Sequence, residues 1–245
     1  MAQYRVAVDT GGTFSDFVFF NEASGDITIT KVPSTPKEPF QAVLNGVQEL
    51  LQNGVPASDI SFFSHGTTVG TNTLLEEKGA TTGLLVTEGF RGIYEVMEQS
   101  RGYGPVTYDL FFEKPRLLAA PYTTEEIPER VDFKGNVLKS LDVETALQAI
   151  RNLKNKKVES VAACLLFSFL NQNHELKIKE IVAKEFPEAN LSLSCEVLPQ
   201  IREYYRMSTT VINAYIAPIV SRYLGLLEQN LREMGVTTHK LYIMQ

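Results

Sequence analysis

Apolar and polar positions alternate or cluster in three short bursts between Tyr4 and Lys31, broken by Gly11-Gly12 and by the segment EASGD. A period near two, interrupted by turn residues, predicts an antiparallel meander of three strands joined by tight turns. Beyond PSTPKEP the period changes. Phe40, Val43, Leu44, Val47, Leu50 and Leu51 recur at helical spacing and the pattern stops at Asn53-Gly54, which predicts an amphipathic helix terminated by Gly54. DISFFSHG returns to strand character, TTVGTNTLLEEKG opens on a threonine cap as a helix closing at Gly79, and ATTGLLVT supplies the next strand.

From Arg101 to Pro128 no period is sustained, and the richness in Pro, Gly and Tyr predicts a surface excursion or subdomain edge. Downstream, SLDVETALQAIRNLKNKK reads as helix, VESVAACLLFSF as buried strand, NHELKIKEIVAKEF as helix and NLSLSCEV as strand. The segment from Gln200 to Gly235 predicts a helix interrupted near Pro218, because an internal proline removes a backbone bond and clashes with the preceding turn. HKLYIMQ has strand character. This order predicts an α/β fold in three stretches: 1–100, an excursion or insertion over 101–140, and a continuing α/β portion over 141–245. A parallel strand at the end with no helix after it to cover the sheet suggests a truncated chain or one piece of a split protein.

Composition narrows the function. With 44% hydrophobic and 21% charged residues over 245 positions, the chain can bury one large or two modest cores. A net charge of −6, with no basic cluster beyond Lys154–Lys157, argues against a surface for nucleic-acid phosphates. Cys164 and Cys195 lie in apolar runs without metal-ligand spacing and read as buried thiols. No secretory leader and no apolar run of membrane-spanning length is evident, so the expected location is the cytoplasm.

The densest chemistry lies in DTGGTFSDF, Asp9 to Phe17, a bend between two strand-like runs. Phosphate oxygens need closely spaced backbone N–H groups, and glycine lets the main chain approach them. Gly11 and Gly12 supply that freedom, hydroxyls of Thr10, Thr13 and Ser15 add donors, and Asp9 can hold Mg²⁺ through water, with Asp16 a second acid. A strand follows this bend, unlike the strand-to-helix glycine loops of dinucleotide folds and P-loops. A tight turn with an Asx cap gives the same residues a purely structural reading.

VAVDTGGTFSDFVF resembles the first phosphate hairpin of the actin, sugar-kinase and heat-shock-chaperone ATPase superfamily. SHGTTVGTNTLLEEKGATTGLLVTEGFRG, ERVDFKGNVL, LLFSFLNQNHE, EVLPQIREYYRMSTTVINAYIAPIVSRYL and LYIMQ, in this order, resemble the N-terminal half of the hydantoinase A / 5-oxoprolinase family. Ser15 stands where that family usually has threonine, and Gly70, Thr73, Glu77 and Gly92 where alanine, alanine, arginine and aspartate are commoner. The resemblance implies an actin-like, ribonuclease H-like α/β ATPase fold with an inserted subdomain. It also implies ATP and Mg²⁺ at the Asp9–Asp16 hairpin, a small cyclic amide as substrate, and a hydantoinase B-type subunit or domain as partner. The family's second phosphate loop and adenosine-binding segment do not match anything in this chain.

Other positions have paired readings. His65 sits at a strand end, with Thr67, Thr68, Thr71 and Asn72 in the first turns of the next helix, where unpaired N–H groups favour an anionic or carbonyl ligand. His65 can then act as an acid if its pKa lies near neutrality, with Thr67, Thr68 and Asn72 against substrate; a helix-capping cluster with a structural histidine is the alternative. Arg202, Glu203 and Arg206 fit a carboxylate clamp, a contact to the partner subunit or an internal i, i+4 network, the last preferred. Asn213 fits a broken helical turn or a cleft lining. Arg91 and Arg101 read as surface charges or local donors, His174 as solvated, and His239 has no evident partner.

On the family resemblance, phosphorylation activates a resonance-quieted amide carbonyl before ring opening, and positioning and charge neutralisation matter more than a nucleophile. Carboxylation in place of hydrolysis is a variant. A non-catalytic nucleotide-binding or assembly module is the alternative class.

Overall fold

The computed structural model describes residues 3–35, 38–97, 108–111, 113 and 115–244. In chain order the strands and helices are β1 (Tyr4–Thr10), β2 (Phe14–Asn21), β3 (Ile27–Pro33), α1 (Pro39–Gln52), β4 (Ile60–Thr67), α2 (Val69–Leu75), β5 (Thr82–Thr87) and α3 (Gly92–Val96). They continue as β6 (Ala119–Ile127), β7 (Arg130–Val131), β8 (Val137–Lys139), α4 (Val143–Asn155), β9 (Ser160–Cys164) and α5 (Asn173–Glu185). The chain closes with β10 (Asn190–Leu193), α6 (Ser194–Val197), α7 (Glu203–Glu233) and β11 (Leu241–Met244). Packing divides it into two compact units, Met1–Glu77 with Ile219–Gln245, and Lys78–Pro218.

The first unit is a five-stranded sheet in the order β11-β4-β1-β2-β3. β1, β2 and β3 form the expected antiparallel meander, while β4 and β11 run parallel to β1. Counted within the unit the order is 5-4-1-2-3, the ribonuclease H-like arrangement of actin-like ATPases. Alternation decides which face is buried: Val6 and Val8 of β1 and Phe17 and Phe19 of β2 pack against Val43 and Val47 of α1 and Leu227 of α7. Each such side chain contributes roughly 1.5–3 kcal/mol when fully buried. Gly46 of α1 is required here, because a Cβ would lie 2.2 Å from the Phe17 ring. Gly54, at φ +91, ends α1 as expected.

The second unit enters the chain between α2 and the last part of α7 and is built on an all-parallel sheet, β10-β9-β5-β6. Both faces are covered, as parallel sheets require. Leu85, Val161 and Ala163 face α4 and α5 through Ile150, Leu153 and Ile178. Leu84, Val86 and Ala162 face Met207, Val211 and Ala214 of α7.

Five expectations change. The residues 101–107 lie outside the described residues, yet Ala119–Ile127 of the expected excursion is the strand β6. β6 is an edge strand, where Pro121 is tolerated and half-exposed residues hide the period. The unit boundaries also differ from the composition shift, because packing, not local sequence, sets them. Of NLSLSCEV only the first half is strand, and SCEV forms the short turn α6. α7 is continuous through Pro218; the neighbouring Tyr215 carbonyl accepts the Ala80 N–H at 2.9 Å. Finally, α7 is long and apolar enough to cross a membrane by length and composition, contrary to the expectation that no run is. Its apolar side chains are divided between the cores of the two units.

Candidate functional site

The carboxyl ends of the parallel strands β1 and β4 carry most of the predicted residues, the place where open α/β sheets bind ligands. The parallel register sets Asp9 beside Gly66, Thr10 beside Thr67 and Val8 beside His65. Between β1 and β2 the turn exposes Gly12 and Thr13. Gly11 donates its N–H to the Phe14 carbonyl at 3.0 Å, closing the turn, and a Cβ on Gly11 would press on that oxygen at 3.2 Å. Neither glycine has positive φ. The N–H groups of Gly12 and Thr13 make no hydrogen bond among the described residues, and a Cβ on Gly12 would meet nothing within 4 Å. Two N–H donors are thereby open to solvent or to an anion.

The hydroxyls behave differently from one another. Thr10 and Ser15 are buried on the core side, Ser15 Oγ donating to Thr10 Oγ1 at 3.3 Å and lying 3.3 Å from Ser34 Oγ. They serve the hairpin's own structure, so of the three expected donors only Thr13 has an exposed side chain. The Asp9 carboxylate is exposed over Gly66: a Cβ there would sit 2.9 Å from Asp9 Oδ1. Gly66 thus makes the space that Asp9 occupies, a role the sequence reading missed. Asp16 is exposed and paired with Lys31 at 3.2 Å. No group of three or more His, Cys, Asp or Glu side chains among the described residues can hold a metal alone, so a cation at Asp9 would have to share phosphate oxygens and water.

His65 takes the opposite face. Strand alternation buries it completely with Val8 and Phe63, and its Nε2 lies 2.6 Å from the Tyr223 hydroxyl of α7. Burial pulls its pKa down to about 4, against the opposing influence of the Val8 carbonyl and the Asp9 charge. His65 is therefore neutral at pH 7 rather than poised near neutrality, and its Nδ1 makes no hydrogen bond that meets ordinary geometry among the described residues. Burial raises the Tyr223 hydroxyl to about 12, with a Thr67 hydrogen bond working the other way. Tyr223 lies 158 residues from His65 and gave no local signal. In the first turn of α2, Thr67 Oγ1 accepts the Val69 N–H at 3.3 Å and the exposed Asn72 amide donates to Thr68 Oγ1 at 3.3 Å. These three polar side chains are engaged with the helix start.

The second unit contains a polar network that sequence reasoning did not find. Fully buried Glu175 accepts the N–H groups of Leu165 at 2.9 Å and Cys195 at 2.8 Å and the Ser194 hydroxyl at 2.7 Å. Fully buried Arg206 donates to the carbonyls of Leu165 at 2.8 Å and Gln200 at 3.1 Å. The Leu165 N–H and carbonyl are held by the two in turn, so Arg206 serves this backbone in place of a carboxylate clamp or an i, i+4 network. His174, expected to be solvated, is buried and bonded through Nδ1 to buried Glu129 at 2.7 Å. Asn213 donates to Ser192 at 2.9 Å, and Arg91 donates to the Pro121 carbonyl. Arg101 lies outside the described residues, and His239 is exposed. Both cysteines are buried, and burial pushes Cys164 up to about 11 and Cys195 further up, leaving neither nucleophilic.

Comparison with known proteins bears on family and fold. The family model for the hydantoinase/oxoprolinase N-terminal region matches residues 5–186. An uncharacterized protein of Methanocaldococcus jannaschii is 37% identical over 99% of this chain and 35% of its own length. The caprolactamase subunit alpha of Pseudomonas jessenii is 32% identical over 95% of this chain and 34% of its own. The crystal structure of the ATP-dependent caprolactamase from that organism superposes with a TM-score of 0.85 at 31% identity, covering 99% of this chain and 34% of that one. The chain thus spans about a third of the length of these relatives.

Proposed function

The chain belongs to the hydantoinase/oxoprolinase N-terminal region family, and from that premise we propose that it is the phosphate-binding part of an ATP-dependent enzyme opening a small cyclic amide, a hydantoin, an oxoproline or a lactam. The observation that carries the reading is the turn between β1 and β2, with the unbonded N–H groups of Gly12 and Thr13 beside the exposed Asp9 carboxylate. These residues suit a nucleotide: the two amides and the Thr13 hydroxyl take terminal phosphate oxygens, and Asp9 orients a magnesium ion through water. When bound, ATP with Mg²⁺ supplies the phosphoryl group that activates the amide carbonyl.

The protein's own contribution is positional. Gly12 leaves the approach to the turn open, Gly66 leaves room for Asp9, and the fixed amides favour charge developing on the phosphates without reorganisation. His65, neutral and buried, supports the carboxyl end of β4 through Tyr223 in place of donating a proton. Thr68 and Asn72, exposed at the start of α2, are the side chains through which that end of the sheet can meet substrate. The second step would be shared with a hydantoinase B-type subunit or domain.

The test combines the chain with the remaining length of polypeptide found in its relatives and with a B-type partner. ATP hydrolysis stimulated by hydantoin, 5-oxoproline or a lactam, and lost in Asp9→Asn, is the expected result. Nucleotide binding without stimulated turnover would instead make the chain an assembly module.

A further inference from the structure

We infer that Ser34 is a positioning residue that aims the phosphate-binding amides of the β1–β2 turn, an inference that rests on the nucleotide reading above. Ser34 follows β3 and reaches the turn twice: its Oγ donates to the Gly11 carbonyl at 2.8 Å, and its N–H donates to the Thr13 carbonyl at 2.9 Å. A trans peptide is planar, with its C=O and N–H pointing in opposite directions. Fixing the Gly11 carbonyl toward Ser34 therefore turns the Gly12 N–H away from Ser34, to the exposed side of the turn. Fixing the Thr13 carbonyl anchors the far end, so the turn cannot rotate to satisfy its own amides.

Ser34 is itself held from both sides. β3 carries it on one side through its ladder with β2. On the other, Thr35 Oγ1 donates to the Glu38 carbonyl at 2.6 Å and accepts the Ala42 N–H of α1 at 3.2 Å. Ser34 Oγ also lies 3.3 Å from Ser15 Oγ, whose proton goes to Thr10 Oγ1, so the three hydroxyls cluster beneath the turn while the Ser34 proton is kept for the Gly11 carbonyl. Ser34 thus acts on a phosphate through the main chain that it orients, while Gly12 and Thr13 touch it.

The experiment compares the 245-residue chain with Ser34→Ala and Ser34→Thr. Pyrophosphate and ATP with magnesium serve as probes, followed by calorimetry and by the amide resonances of Gly12 and Thr13. All variants are measured at a temperature where thermal melts show them folded. Loss of one oriented hydrogen bond predicts about tenfold weaker binding in Ser34→Ala. The Gly12 resonance moves in the free protein, and Ser34→Thr, which keeps the hydroxyl, restores affinity. Equal affinity in wild type and Ser34→Ala overturns the role of Ser34 while leaving the nucleotide site standing. A folded wild type whose Gly12 and Thr13 resonances ignore both probes removes the site and the inference together.

Discussion

The two units treat polar groups at the carboxyl ends of their parallel strands in opposite ways. In the second unit Glu175, Arg206, Glu129 and His174 are buried and bonded to backbone, to hydroxyls and to each other, with Arg206 Nε left without a partner among the described residues. In the first unit the β1–β2 turn keeps the N–H groups of Gly12 and Thr13 unbonded and the Asp9 carboxylate exposed. Consumed polar groups build a framework, whereas open ones receive a ligand. The presence of charged residues at strand ends is therefore a poor guide to function until their partners are known.

The contrast is broken most severely in the second unit. Glu175→Ala leaves the buried N–H groups of Leu165 and Cys195 without an acceptor, so denaturant unfolding should show a loss of roughly 3–5 kcal/mol. In the first unit the largest effect comes from His65 and depends on pH. Its folded pKa, about 4, lies below the unfolded value of 6.5, so the unfolded chain takes up the proton first as pH falls. Stability present above pH 6.5 should decline by about 3 kcal/mol between 6.5 and 4. His65→Gln should flatten that slope in melts recorded across the range. The smallest effect sharpens the comparison within the turn itself. Thr13→Val should leave the melting temperature within the scatter of surface substitutions, about 0.5 kcal/mol, while lowering ATP affinity severalfold. Thr10→Val, beneath the turn, should show the reverse order of effects.

Much of the first unit is legible because its signals are local. The period of two in β1 and β2, the glycine pair between them and the helical spacing ended by Gly54 each lie within a short window of sequence. The candidate turn is legible for the same reason, since Asp9 to Ser15 are neighbours in the chain. What escaped depends on distant partners. Nothing near His65 announces Tyr223, although Tyr223, Leu227 and Leu231 do form one buried stripe of α7. Arg206 looks like a member of a local helical network until the Leu165 carbonyl is brought to it, and His174 looks solvated until Glu129 is. The edge position of β6 disguised its period, and the seams at Glu77 and Pro218 follow from packing rather than composition.

The division between a consumed and an open set of polar groups is tested most directly by a crystal structure of the chain grown with ATP and magnesium. The account predicts terminal phosphate oxygens within hydrogen-bond reach of the Gly12 and Thr13 amides, with the cation approached through water by Asp9. Nucleotide bound elsewhere, with this turn still facing bulk solvent, would contradict it.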